Sequence, residues 1–123
     1  LDLSNAPDIA QTVAVTTFGL GLGCVLIGLH TLKIKETDRL EALKTELTKL
    51  GANISVTNDK LSLENATKII SNVDIETYND HRMAMAFAPL AIKTAIAIKD
   101  AEVVSKSYPD FWNDLGQLGF KFK

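Results

Sequence analysis

The sequence predicts a mixed α/β fold in which strands and amphipathic helices alternate along the chain. Residues 1–64 show the order strand, helix, strand, helix, strand, strand, and residues 74–122 show strand, helix, strand, helix, strand. Apolar residues at helical spacing, in a chain that is 46% hydrophobic, supply the buried faces that these elements need. We therefore predict two copies of one unit, a βαβαββ-like unit over residues 1–64 and a partial one over residues 74–123.

The composition indicates one ordinary globular unit. Its 123 residues are 23% charged with a net charge of −2, and the 13 Lys and Arg residues are scattered, which argues against a nucleic-acid or membrane surface. Cys24 is the only cysteine, so there is no disulfide framework or thiolate zinc site, as fits a reducing cytoplasm. The apolar stretches 18–29 and 83–92 are shorter than the roughly 20 residues of a membrane span. We expect a soluble cytoplasmic protein.

The N-terminal stretch predicts a strand followed by a helix. Leu1–Leu3 has the character of a strand end, and because no initiating methionine precedes it we interpret the chain as a piece of a longer protein. Asn5 is a candidate helix cap, with Pro7 and Asp8 in the first turn. The helix should run to about Gly19.

The most regular helix is predicted to begin near Leu40. Apolar residues recur at Leu43, Leu47 and Leu50, the spacing of a helix with one buried face, and Gly51 ends it.

The remaining elements follow from apolar alternation and turn residues. Residues 54–57 and 61–64 predict an antiparallel hairpin. The segment 83–92 is apolar on every side and predicts a helix buried all round, which Pro89 should kink or end early. A last helix is predicted over residues 110–118. Further strands are predicted at residues 24–29, 74–77, 95–98, 102–104 and 119–122.

Two charged residues fall on the apolar side of the helix that follows them. Glu36 projects about 20° from Leu43, and Arg39 projects about 40° to its other side. Either both side chains extend past the core into water, or they line a cleft at the helix start, where the helix dipole, Lys35 and Arg39 suit an anion. The charged residues at the other helix starts favour the cleft.

Those helix starts concentrate charge on what we predict to be one face of the molecule. They carry Asp8, Lys35, Glu36, Arg39, Asp80, His81, Arg82 and Lys106. Cations and backbone N–H groups together suit a small, multiply charged anion such as a phosphate or carboxylate. Asp8 is either a helix cap, the interpretation favoured for this acid alone, or a group that moves protons. His81 is not expected to bind a metal, because His30 is the only other histidine.

Three motifs closely resemble the C-terminal part of the EPSP synthase family, the 3-phosphoshikimate 1-carboxyvinyltransferases. They are KETDRL over residues 35–40, TYNDHRMAM over residues 77–85 and KSYPDFW from Lys106. The resemblance runs from Asp8 to the C-terminus and corresponds to about the last third of such an enzyme. It implies repeated βαβαββ units of the enolpyruvyl transferase inside-out barrel type, with this chain as part of one domain and the active site between two domains.

The resemblance also implies catalytic roles. Asp8 would activate the 5-hydroxyl of shikimate 3-phosphate, and Lys35 would share that proton transfer. Glu36 would protonate and later deprotonate the methylene carbon of phosphoenolpyruvate. The hydroxyl would add to phosphoenolpyruvate and phosphate would leave through a tetrahedral intermediate, with no metal or organic cofactor.

Substrate-binding roles follow from the same resemblance. Arg39 and Arg82 would hold the phosphoenolpyruvate carboxylate, Lys106 would contact a phosphate, and His81 would lie beside the site. Asp8 and Lys35 would also contact shikimate 3-phosphate. The implied partners are these two small molecules and the missing N-terminal part of a full-length enzyme that is expected to be a monomer.

One position departs from the family pattern, and two other functions compete. Thr31 stands where some family members carry an asparagine that contacts shikimate. A UDP-amino-sugar enolpyruvyl transferase shares the fold and reaction but is not expected to carry both long motifs. A non-catalytic anion-binding module descended from the enzyme is the alternative from another class.

Overall fold

A computed structural model describes residues 1–35, 37–66 and 68–122 of the chain. Its α-helices are α1 (Ala10–Gly19), α2 (Arg39–Lys49), α3 (His81–Phe87) and α4 (Phe111–Gln117). Its strands are β1 (Cys24–Leu26), β2 (Ile54–Val56), β3 (Leu61–Leu63), β4 (Val73–Ile75) and β5 (Ile96–Ile98). Short 3₁₀ helices cover Pro7–Ile9, His30–Ile34, Ala88–Ile92 and Ala101–Val104. The predicted mixed α/β fold is confirmed. No helix in the described ranges has the length and apolarity needed to cross a membrane.

The strands form two small sheets. One has the order β1-β3-β2 with antiparallel pairing throughout, and Ile54 lies opposite Leu63, so the predicted hairpin is confirmed. The other pairs β4 with β5 in parallel, with Val73 opposite Ile96. Parallel neighbours need a crossover, which α3 and the following 3₁₀ helix supply. The start of α3 is therefore placed a few residues beyond the end of β4.

A leucine-rich core holds α1, α2 and α3 together. Leu40, Leu43 and Leu47 are fully buried, as the helical spacing predicts, and they belong to the same core as Phe18 of α1 and Phe87 of α3. Burial of each such side chain is worth about 1.5 to 3 kcal/mol. The α1 helix packs against both α2 and α3. This packing fixes the starts of α2 and α3 relative to each other.

Two helix predictions need correction. The N-terminal helix begins as the 3₁₀ turn Pro7–Ile9 after Ala6, which makes no side-chain capping bond, so the predicted cap at Asn5 is wrong. The α-helix predicted over residues 83–92 ends at Phe87 and continues as a 3₁₀ helix, so the kink or early end expected from Pro89 is confirmed. Pro89 lacks the N–H that an α-helix needs, which explains the change. Ile92 is exposed, so burial all round was also wrong.

Several predicted strands are shorter or absent. Residues 102–104 lie in a 3₁₀ helix, and residues 119–122 are not in a strand. The strand expected over residues 24–29 ends at Leu26, and the N-terminal residues contribute one parallel bridge, between Asp2 and Ile27. Short apolar runs do not distinguish a strand from a buried 3₁₀ turn, and a strand also needs a partner. The equivalence of residues 1–64 and 74–123 stays a prediction.

Candidate active site

Asp8 lies where three segments of the chain meet. Its Oδ1 is 3.1 Å from Nη1 of Arg39 and 3.7 Å from Nζ of Lys35, and its Oδ2 is 3.9 Å from Nη2 of Arg82. The Asp8 side chain remains 41% exposed. The carboxylate therefore faces solvent with cations around it, as expected if the helix starts share one face.

Asp8 does not act as a helix cap in the described structure. It lies inside the 3₁₀ turn Pro7–Ile9, and neither this turn nor α1 has a side-chain capping bond at its N-terminus. The cap interpretation that the sequence favoured for Asp8 alone is wrong. The contacts of its carboxylate are with cations instead.

Arg39 is buried at the first turn of α2, and its guanidinium group binds the carboxylate of Asp80. Nε of Arg39 lies 2.7 Å from Oδ2 of Asp80, and Nη2 lies 3.2 Å from Oδ1. The exposed fractions of the two side chains are 2% and 0%. The prediction that Arg39 points to the apolar side is confirmed, and extension of Arg39 into water is wrong. Glu36, the other residue of that prediction, lies outside the described residues.

The start of α2 is fixed independently of Arg39. Asp38 caps it by accepting the N–H of Glu41 at 3.2 Å, and its Oδ2 is 2.8 Å from Nζ of Lys33. Because the helix start is capped, its first residue is held in place. Arg39 therefore points consistently at the segments that carry Asp8 and Asp80.

Asp80 joins the cluster to the start of α3. Its Oδ1 accepts the backbone N–H of Arg82 at 3.0 Å, which caps α3, while both oxygens also bind Arg39. Nε2 of Gln11 on α1 lies 3.5 Å from Oδ2. A buried carboxylate costs several kcal/mol unless it is paired and hydrogen-bonded, and Asp80 has both kinds of partner. The sequence placed Asp80 among the charged residues at the helix starts but did not predict that it would bind Arg39.

Asp80 is presented by an unusual turn. The backbone N–H of Asp80 donates to the carbonyl of Thr77 at 2.8 Å, and the two residues between, Tyr78 and Asn79, have φ values of 56° and 55°. Positive φ at both central positions is characteristic of a type I′ turn. Such a left-handed conformation costs about 1 to 2 kcal/mol per residue for residues other than glycine. The turn therefore needs support from its surroundings.

A buried glutamate supplies part of that support. Glu46 of α2 is fully buried and accepts hydrogen bonds from the Tyr78 hydroxyl at 2.5 Å and from the backbone N–H of Glu76 at 3.0 Å. Nζ of Lys49 lies 2.7 Å from its Oε1. Burial, followed by the hydrogen bond to Glu46, raises the pKa of Tyr78 to about 12. Sequence reasoning missed Glu46, although its spacing from Leu43 places it on the buried face of α2.

Counted over the described residues, the cluster carries a surplus of positive charge. Its cations are Lys35, Arg39 and Arg82 and its described acids are Asp8 and Asp80, so three positive charges face two negative ones and one remains. Salt screens such charges least where they are buried. The cluster therefore suits an anion that approaches from the exposed side.

Two other predicted site residues lie apart from these ion pairs. His81 is half-buried at the first position of α3. Lys106 is exposed in a turn after the last 3₁₀ helix, and the ion pairs of the described residues do not include it. The structure thus brings together Asp8 with cations from two helix starts but does not join Lys106 to them.

The described residues contain two buried polar side-chain atoms without a partner and no cluster of metal ligands. The hydroxyl of Thr31 and the Oε1 atom of Gln11 are buried without a hydrogen-bond partner among these residues. No group of three or more His, Cys, Asp or Glu side chains within the described ranges is placed to hold a metal ion.

A large groove lies away from the charged cluster. Its volume is about 860 Å³, and it is bounded by β5, the preceding 3₁₀ helix and the C-terminal residues, with Ile96, Trp112 and Phe122 in its walls. The rings of Trp112 and Phe122 pack edge to face, with their centroids 5.7 Å apart. The groove is mainly apolar and contains none of the residues that surround Asp8.

Comparison with known proteins decides the family. The model of the family described as EPSP synthase (3-phosphoshikimate 1-carboxyvinyltransferase) matches residues 1–115. The chain belongs to the EPSP synthase family. The resemblance of the KETDRL and TYNDHRMAM motifs is thereby confirmed.

Individual members of the EPSP synthase family match nearly the whole chain. A 3-phosphoshikimate 1-carboxyvinyltransferase of Bacteroides fragilis strain YCH46 is 49% identical over 125 residues, which cover 99% of this chain and 30% of that protein. The corresponding protein of Clostridium acetobutylicum is 42% identical over 97% of this chain and 28% of its own length. The chain thus spans about 30% of the length of these relatives.

The fold agrees with a solved EPSP synthase structure. EPSP synthase from Acinetobacter baumannii superposes with a TM-score of 0.81 at 27% identity, over 91% of this chain and 27% of that one. A partial α/β domain of the EPSP synthase type is the fold that this comparison supports.

Proposed function

We propose that the chain is part of a 3-phosphoshikimate 1-carboxyvinyltransferase, which transfers the enolpyruvyl group of phosphoenolpyruvate to the 5-hydroxyl of shikimate 3-phosphate and releases phosphate. The observation that carries this proposal is the convergence of Lys35, Arg39 and Arg82 on the exposed carboxylate of Asp8, in a chain of this family. Cations alone would suit any anion. A solvent-facing carboxylate among them adds a group that can move a proton.

The two arginines are proposed to hold the carboxylate of phosphoenolpyruvate. Arg82 has a side chain that is 39% exposed and is directly accessible. Arg39 lies deeper, and the part of its guanidinium group that faces the proposed cleft is Nη1, which lies beside Asp8. Guanidinium groups bind carboxylates through paired, charge-assisted hydrogen bonds. We assign a phosphate contact to Lys106 and a position beside the site to His81.

Asp8 is proposed as the group that takes the proton from the 5-hydroxyl, with Lys35 sharing the transfer. The hydroxyl oxygen forms a bond to the central carbon of phosphoenolpyruvate, and the methylene carbon gains a proton. From the tetrahedral intermediate, phosphate leaves and the methyl group loses a proton, which restores the double bond. We assign the exchange of protons at this carbon to Glu36. Positioning, proton transfer and electrostatic stabilisation suffice for these steps without a metal or organic cofactor.

The complete enzyme is proposed to extend beyond these 123 residues. Repeated βαβαββ units, of which residues 1–64 and 74–123 are two, would build an inside-out barrel domain, and a second domain would close the cleft. We expect this enzyme to be a cytoplasmic monomer that binds no nucleic acid. The lone cysteine, Cys24, is unpaired, which fits a reducing compartment.

The test is phosphate release by the full-length protein that contains this chain, supplied with phosphoenolpyruvate and shikimate 3-phosphate. We expect turnover by the full-length protein and none by the isolated 123 residues. Holding two reactants together can lower the activation barrier by about 7 to 11 kcal/mol, and an open cleft loses most of this effect. Addition of the missing N-terminal part should restore turnover. Turnover with a UDP-amino sugar instead, or with neither acceptor, would refute the assignment.

A further inference from the structure

A fully buried carboxylate lies behind the charged cluster. Glu46 is two helical turns beyond Arg39 on α2, so the two side chains leave the helix on the same side. Nζ of Lys49 lies 2.7 Å from Oε1 of Glu46, and the Lys49 side chain is partly exposed. Lys49 therefore contacts the carboxylate from the solvent side. The other two partners of Glu46 belong to the segment that leads into α3.

Those two partners hold the left-handed turn on its entry side. Glu46 accepts the backbone N–H of Glu76, before the turn, and the hydroxyl of Tyr78, its first left-handed residue. On the exit side, Asp80 is bound by Arg39. Since Arg39 and Glu46 belong to the same helix, α2 forms hydrogen bonds to the turn at both of its ends. A segment attached at two ends to one rigid element cannot rotate freely.

We propose that Glu46 is a positioning residue for the anion site. By holding residues 76 and 78 at the entry to the turn, it sets the place of Asp80. Asp80 in turn orients Arg39 through two hydrogen bonds and caps the helix that carries Arg82. Glu46 itself is fully buried, so it is proposed to act on the site through other residues. This role rests on the proposed function, because it concerns the same carboxylate-binding arginines.

A substrate-selective effect separates positioning from simple core stability. Removal of any buried, hydrogen-bonded acid lowers the stability of a protein. If Glu46 only satisfied core polar groups, the folded variant would bind both substrates normally. If it positions Asp80, the loss falls on phosphoenolpyruvate, whose carboxylate is assigned to Arg39 and Arg82.

The experiment compares four variants of the full-length protein by steady-state kinetics. Glu46→Met removes all three hydrogen bonds, and Tyr78→Phe removes one. Glu46→Gln keeps an acceptor for the Glu76 N–H and an amide group for the Tyr78 hydroxyl, so it should rescue most of the function. Glu41→Gln is the matched control, because it makes the same change at an exposed position of the same helix.

We expect Glu46→Met to raise the KM for phosphoenolpyruvate by about 10- to 100-fold, the scale of effect of a misplacement by about 1 Å. The KM for shikimate 3-phosphate should change less than about twofold, since a lost contact affects only the substrate that uses it. Tyr78→Phe should show the same selectivity with a smaller rise. The KM values of Glu46→Gln should lie near those of wild type, and the KM values of Glu41→Gln should equal those of wild type.

Unchanged KM values in a folded but less stable Glu46→Met variant would overturn the proposal. If that variant does not fold, Tyr78→Phe decides: a selective rise supports the proposal, and an unchanged KM refutes it. Wild-type protein without turnover would refute the proposed function instead. Amide hydrogen exchange at Arg82 would then test the positioning role, which requires faster exchange in Tyr78→Phe and is refuted by unchanged exchange.

Discussion

Neutralising Asp80 tests whether the buried ion pair organises the candidate site. Asp80→Asn keeps the size of the side chain and an oxygen that can cap α3 at the Arg82 N–H. It removes the charge of the buried carboxylate that binds the Arg39 guanidinium, which is itself 2% exposed. Among the described residues, Asp8 is a further acid within reach of Arg39, at 3.1 Å and partly exposed to solvent.

The expected loss follows from these contacts. Breaking a buried pair by removing one partner costs about 3 to 5 kcal/mol, because an uncompensated charge stays buried. Asn retains the cap and one acceptor for Arg39, and Asp8 offsets part of the charge, so we expect the lower end, about 3 kcal/mol. Urea denaturation of the purified full-length protein, followed by circular dichroism, gives the change in unfolding free energy.

The chain offers a matched control for this measurement. Asp74 is exposed and pairs with Lys99 at 3.6 Å on the surface, so Asp74→Asn should cost no more than about 1 kcal/mol. In the double variant Asp80→Asn with Arg39→Met, the buried charge is gone as well, so the loss should be smaller than the sum of the single losses. Equal costs for Asp80→Asn and Asp74→Asn, or strict additivity in the double variant, would refute the role assigned to the buried pair.

Two further predictions concern the cleft and the turn. Arg82→Ala should weaken the binding of phosphoenolpyruvate by about 1.5 to 3 kcal/mol, the value of a hydrogen bond to a charged group, and should change the binding of shikimate 3-phosphate little. Equal losses of binding free energy for both substrates in titrations would contradict the assignment of Arg82. The pKa of Tyr78 is raised from 10.0 to about 12, so the protonated phenol stabilises the folded state fully below pH 10, and this contribution is lost as pH rises through 12. Unfolding free energy should therefore fall more steeply between pH 10 and pH 12 in wild type than in Tyr78→Phe, and equal slopes would contradict the raised pKa of Tyr78.

The sequence predicts the fold best where the physical pattern is local. The leucine stripe of α2 and the alternation in the β2–β3 hairpin each lie within a few residues, and both are confirmed. Element ends were less well predicted. The sequence expected Pro89 to kink or end the helix over residues 83–92 but did not give Phe87 as its last α-helical residue, and residues 102–104 lie in a 3₁₀ helix instead of a strand. A short apolar run is compatible with either structure until its neighbours are known.

The candidate site shows the same division between local and distant information. Helical geometry alone placed Arg39 on the buried side of α2, and it is buried. Its partner Asp80 lies far along the chain, and the bond between them depends on the crossover that brings the start of α3 against α2. Glu46 was missed for the same reason, since its partners Glu76 and Tyr78 belong to another segment. A buried charge on an apolar helical face nevertheless implies that an opposite charge or hydrogen-bond donors must lie opposite.

The most direct measurement of the central claim is the turnover of Asp8→Asn in the full-length protein. Asparagine keeps the size and an acceptor for Arg39 Nη1, but it cannot take the proton of the 5-hydroxyl. Because Asp8 is 41% exposed, the unfolding free energy should change by no more than about 1 kcal/mol. We predict that turnover falls by about 100- to 10,000-fold, the range for loss of a general base, with binding of both substrates retained. Turnover near the wild-type rate would contradict the assignment of Asp8 as the base at the centre of this site.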